Sequence, residues 1–123
     1  MFDYEAVLIT ELRERHPGAY VAVHNPTVRG NTPVGEAKLP RITIQRSGGQ
    51  VGRFTEQPLV TTRVAAPTQL EALDLIRTVC REYFDIRDEV ADITKVINNA
   101  ITLVSSTSYE TMYQVTTYFT LNV

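Results

Sequence analysis

Leu59-Val60-Thr61-Thr62-Arg63-Val64-Ala65-Ala66-Pro67-Thr68-Gln69-Leu70-Glu71 contains the switch that decides the fold. Its first half is rich in β-branched residues, at Val60, Thr61, Thr62 and Val64, which suit a pleated strand. Pro67 ends that strand, and Thr68 with Glu71 has the spacing of a capping box. In such a box the threonine hydroxyl accepts from the Glu71 amide, and the Glu71 carboxylate reaches back to the Thr68 amide. The period then changes. Leu70, Leu73, Ile76, Cys80 and Phe84 recur at helical spacing, with Val79 and Tyr83 widening the stripe. Glu71, Asp74, Arg77, Arg81 and Glu82 make the wet face. A strand feeding straight into an amphipathic helix that ends near Phe84 puts both classes of element in one core.

Upstream, Pro40-Arg41-Ile42-Thr43-Ile44-Gln45-Arg46 alternates as a strand, with Ile42 and Ile44 on one side and Thr43 and Gln45 on the other. Ser47-Gly48-Gly49 marks a turn. Residues 51–57 fit either an extension of the hairpin or its loop. Before these, residues 3–16 read as a helix with Leu8, Ile9 and Leu12 on one stripe. Asp3 suits its N-cap, and His16-Pro17-Gly18 stops it. Residues 20–24 read as a short strand that breaks at Asn25-Pro26. Residues 25–39 contain Gly30, Pro33 and Gly35 and carry no periodicity. A loop this long is uncommon in a compact domain and is usually functional or mobile. Two readings stand: a disordered insertion, or an interaction arm that orders against a neighbour.

Downstream, residues 85–93 form an acidic connector with room for a helical turn. Residues 95–105 alternate weakly, broken by Asn98-Asn99 at a bulge or bend. Residues 106–108 read as a turn. The best strand in the chain is at residues 110–123: Tyr113, Val115, Thr117, Phe119, Leu121 and Val123 share one face, and Gln114, Thr116, Tyr118, Thr120 and Asn122 share the other. The order α-β-β-β-α-β-β predicts one α+β domain over residues 1–123. Its sheet is expected to be mostly antiparallel, with about five strands and both helices on one face.

Composition narrows the function classes. With 43% hydrophobic and 21% charged residues, the 123-residue chain has enough apolar content for its own core. Twelve basic against 14 acidic residues give a net charge of -2, far from the basic signature of a nucleic-acid binder. The lone cysteine, Cys80, offers no internal disulfide. Met1-Phe2-Asp3-Tyr4-Glu5 carries acids where a secretory signal has Lys or Arg. No apolar run approaches the ~20 residues that span a bilayer. The expectation is a soluble protein made in a cytoplasm, with no membrane partner.

Candidate chemistry is thin. Asp85, Asp88, Glu89 and Asp92 cluster but lack the glycine and alternate-oxygen spacing of a calcium loop, so they read as a solvated acidic connector. Cys80 with His16 or His24 has the residue types of a nucleophile and base, yet it sits on an apolar stripe where an inert thiol is the default. Gly48-Gly49-Gln50-Val51-Gly52 joins strands and does not open a helix, which a phosphate cradle needs. Arg41, Arg46, Arg53 and Arg63 read as a local basic surface for phosphate or an acidic partner, or equally as a solvated sheet face. No catalytic residue, metal or cofactor is expected.

The order of motifs resembles the tail terminator proteins of long-tailed bacteriophages, most of all those of phages infecting actinobacteria. The resemblance rests on Pro40-Arg41-Ile42-Thr43-Ile44-Gln45-Arg46 with Gly48-Gly49, then Leu59-Val60-Thr61-Thr62-Arg63-Val64 running into Pro67-Thr68-Gln69-Leu70-Glu71-Ala72. The closing Tyr113-Gln114-Val115-Thr116-Thr117-Tyr118-Phe119 and the helix ending near Pro17-Gly18 extend it. It implies a structural virion protein with no enzymatic activity, forming a homohexameric ring at the head-proximal end of the tail. That ring would cap the tail tube, join it to the head connector or head-closure protein, and let DNA pass through its lumen without specific recognition. Candidate interface residues are Arg29, Asn31, Val34, Arg41, Arg46, Arg53, Phe54 and Arg63. The alternatives are another neck or tail component, such as a head-closure or tube subunit, and a small ligand-binding domain using the arginine face.

Overall fold

The computed structural model describes residues 3–23, 39–52 and 55–122. The first helix, α1 (Tyr4–Arg15), begins at Asp3, whose carboxylate accepts from the Ala6 amide at 3.1 Å. Tyr4, Leu8, Ile9 and Leu12 face the core. A short strand, β1 (Tyr20–Val23), pairs parallel with the start of β2 (Arg41–Val51). β3 (Thr55–Ala66) returns antiparallel to β2 and delivers the chain into α2 (Gln69–Glu89). Thr68 caps that helix by accepting from the Glu71 amide at 3.2 Å. Three strands complete the chain: β4 (Ile93–Asn98), β5 (Thr102–Ser106) and β6 (Thr111–Asn122).

The α+β class is as expected, with a mixed sheet of six strands in place of about five. The sixth arises at Asn98-Asn99, where the weakly alternating stretch divides into β4 and β5. Asn98 donates to the Cys80 carbonyl at 3.2 Å and accepts from the Thr117 hydroxyl at 2.7 Å, fastening the end of β4 to both α2 and β6. β4 and β5 therefore lie one after the other along the same side of β6.

Strand order is β1-β2-β3-β6-β4, with β5 also on β6. At one end of the sheet β1 and β5 are the outer strands. At the other end the block is four strands wide and wholly antiparallel. There one row runs through Gly48, Leu59, Tyr118 and Ile97, and another through Val51, Glu56, Leu121 and Ile93. Directly paired residues share a face. Both helices cover the face that carries Ile42, Ile44, Val60, Val64, Val115, Phe119 and Leu121, all buried.

Three local expectations are corrected. Gly48 and Gly49 do not turn the chain but continue β2, paired to Leu59 and Pro58, with Ser47 as a bulge. Residues 85–89 are not a connector but the last turns of α2, because Ile86 extends its buried stripe. That stripe is Ala72, Ile76, Val79, Tyr83 and Ile86, whereas Leu70 is 70% exposed and Phe84 is also exposed. Leu73 and Cys80 flank it, half-buried. Alternation in β6 is as expected over its described length, and its buried Thr117 is satisfied by Asn98.

Candidate functional site

The alternation of the strands sorts the candidate arginines. Arg41 and Arg63 project from the face opposite the helices: Arg41 is paired with Ala65, and Arg63 lies between Thr43 and Gln114. The Arg41 guanidinium donates to Glu110 at 3.1 Å, and Arg63 Nε donates to Gln114 Oε1 at 3.2 Å. Arg46 is on the other face. It forms two 2.9 Å bonds to the two oxygens of Glu5 and lies 5.6 Å from the centroid of the Tyr4 ring. Its guanidinium is held above the usual arginine range by the hydrogen bonds and charge of Glu5. Arg46 thus clamps α1 to β2, and the three residues do not make one basic surface. Arg29, Asn31, Val34, Arg53 and Phe54 lie outside the described residues.

The face opposite the helices has a distinct chemistry. Across the middle of the sheet it presents Thr43, Gln45, Thr61, Thr116, Gln114 and Thr120, all half-buried. β-branched hydroxyl side chains favour paired strands and remain compatible with water, so this face holds the sheet without a second apolar layer. One apolar row crosses it: Leu59, Tyr118 and Ile97 stand side by side on β3, β6 and β4, with Tyr118 42% and Ile97 44% exposed. Sequence alternation placed Tyr118 on this face. It could not show that Leu59 and Ile97 flank it, because that depends on strand order.

On the helical side, a surface cavity of about 420 Å³ lies between the end of α1, the start of β2 and the first half of α2. Pro40, Pro67, Ala66 and Leu75 make its apolar walls, and Glu71 and Asp74 are exposed on α2. His16 also lines it, but its Nε2 is 2.5 Å from Glu82 Oε1, so the ring is already engaged. The neighbouring Arg15 binds Glu11 and Glu89, which ties α1 to α2 through one polar cluster. The Thr78 hydroxyl donates to the Asp74 carbonyl at 2.8 Å, an intrahelical bond that does not activate it.

Thiol and phenol chemistry is equally muted. Burial pushes the Cys80 thiol up, away from the thiolate that a nucleophile needs. Tyr83 is fully buried, 2.5 Å from the Thr62 hydroxyl, and burial raises its phenol as well. Among the described residues, no three His, Cys, Asp or Glu side chains come together as a metal site would need. No helix of the described residues is long and apolar enough to cross a membrane.

The chain matches no protein-family model and no curated protein sequence.

Proposed function

We propose that this chain is a tail terminator, a ring-forming subunit that caps the tail tube of a long-tailed bacteriophage and joins it to the head connector. The observation that carries this reading is the ordered run of motifs along the chain: the Pro40–Arg46 strand with Gly48-Gly49, the Leu59–Val64 strand, Pro67–Ala72 and Tyr113–Phe119. The fold supports it, since a rigid sheet backed by two helices is a scaffold able to hold contacts on several sides at once. The broad threonine- and glutamine-bearing face supports it too, as a wet polar surface suited to lining a lumen.

The deciding experiment mixes purified protein with tail tube protein and examines tube ends by electron microscopy, with the mass of the free protein measured in parallel. Rings at one end of tubes of limited length are expected. A protein that never joins tube ends, whatever its own mass, overturns the reading.

A further inference from the structure

We infer that copies of this chain join edge to edge, with the outer edge of β4 in one copy adding to the outer edge of distal β2 in the next. The inference deepens the self-assembly in the function proposed above and rests on it for the identity of the partner as a second copy.

The geometry starts from the four-stranded end of the sheet. Residues 48–51 of β2 and residues 95–98 of β4 form its two outer strands. β1 pairs only with Arg41 to Ile44, and β5 lies on β6 beyond Thr117, so neither covers these runs. Among the described residues no strand pairs with their outer sides. An edge strand presents a row of backbone N–H and C=O groups able to accept another strand.

Three features make another copy the fitting partner. The two edges lie at the same level, since Gly48 and Ile97 belong to one row of paired residues. Each step across the block is antiparallel, so β4 runs opposite to β2. A copy moved sideways by rotation therefore offers its β2 to β4 in the antiparallel sense that the rest of the block already uses. The runs also match in length. The bulges at Ser47 and Thr94 fall just outside them, leaving four consecutively paired residues each, as many as in the β1–β2 ladder within one chain, with Gly48 and Gly49 at positive φ.

Side chains favour the same contact. Gly48 and Gly49 carry nothing to obstruct an approaching backbone. Val51, 81% exposed, and Ile97, 44% exposed, stand on opposite faces of the sheet at these edges. Lys95 is the one charged residue in the two runs, and charged side chains are the usual guard against such pairing. Because the two edges differ, the contact is heterologous, and a heterologous contact that closes by rotation makes a ring.

The test uses hydrogen exchange read by mass spectrometry on the full chain, dilute and concentrated, with native mass spectrometry reporting the state. Peptides covering residues 45–51 and 93–98 are expected to slow together on association. Ile97→Lys adds a charge at an exposed position that tolerates it and is expected to weaken association about tenfold or more. A chain that stays monomeric up to millimolar concentration overturns the inference. So does protection at one edge alone, or an oligomer unaffected by Ile97→Lys. Rings that cap tubes without protection of these edges defeat the inference but leave the terminator reading standing. An edge-protected oligomer that ignores tube ends does the reverse.

Discussion

At Gly49 an added Cβ would lie 2.7 Å from the Pro58 Cα and closer still to the Gln57 carbonyl oxygen, and its φ of 138° is one that other residues rarely adopt. Gly48 has a similar φ of 127° but open space around it. The two glycines therefore separate strain from collision. Gly48→Ala is expected to cost about 1–2 kcal/mol for backbone strain, and Gly49→Ala clearly more, since β3 must also move. Urea denaturation of the two variants checks this, and equal losses would contradict it. The same residues show the limit of reading turns from composition. Gly-Gly beside a serine is a fair turn signal, but here the close approach of β3 at Gly49 requires the missing side chain, and the chain runs on to Val51. Arg46 is a second case. Its place beside Arg41 in one strand was legible, and the Ser47 bulge leaves its side unchanged. Alternation alone assigns Arg41 and Arg46 to opposite faces, which a count of basic residues overlooks.

Helix α2 carries two candidate apolar stripes, and the sheet selects one. Ala72, Ile76, Val79, Tyr83 and Ile86 are fully buried. Leu70 begins the stripe that hydrophobicity favours, but it projects from the first turn into solvent. Ala72 is small and fully buried, which lets the start of the helix lie close to the sheet, while Leu70 faces away. Ile76→Ala is expected to destabilise by about 2–5 kcal/mol. Leu70→Ala is expected to stay within about 0.5 kcal/mol. Thermal or urea melts of the pair would reverse that order if the helix packed on its other stripe. Helix start, strand alternation in β6 and the α+β class were legible because each is a local pattern. Which helical stripe is buried, and which rows cross the sheet, depend on pairings far apart in the chain.

Stability of the whole molecule against alkali follows from two buried phenols and one half-buried thiol. Burial raises Tyr83, Tyr4 and Cys80 above the ordinary tyrosine and cysteine ranges. Above about pH 9 the unfolded chain then holds fewer protons than the folded one, so the free energy of unfolding falls as pH rises. Below that range these groups are neutral in both states and contribute no slope. Melting temperature is expected to be flat in this respect up to about pH 9 and to decline beyond it. Tyr83→Phe should reduce the decline at the same time as it leaves the Thr62 hydroxyl without its partner. A melting temperature that held steady to pH 11 would show that these phenols titrate freely in the folded chain.

The sheet is finished differently at its two ends. At one, β1 and β5 are the outer strands, and Arg13 donates to the Val21 carbonyl of β1 at 3.2 Å. At the other, distal β2 and β4 are the outer strands among the described residues. The molecule therefore has a top and a bottom that are not interchangeable. Any annulus of such molecules sharing one rotation axis inherits that polarity, with one rim five strands wide in each copy and the other four. Two unlike rims are what an adaptor between two different structures requires, because each can then be shaped for its own neighbour without compromising the fit to the other.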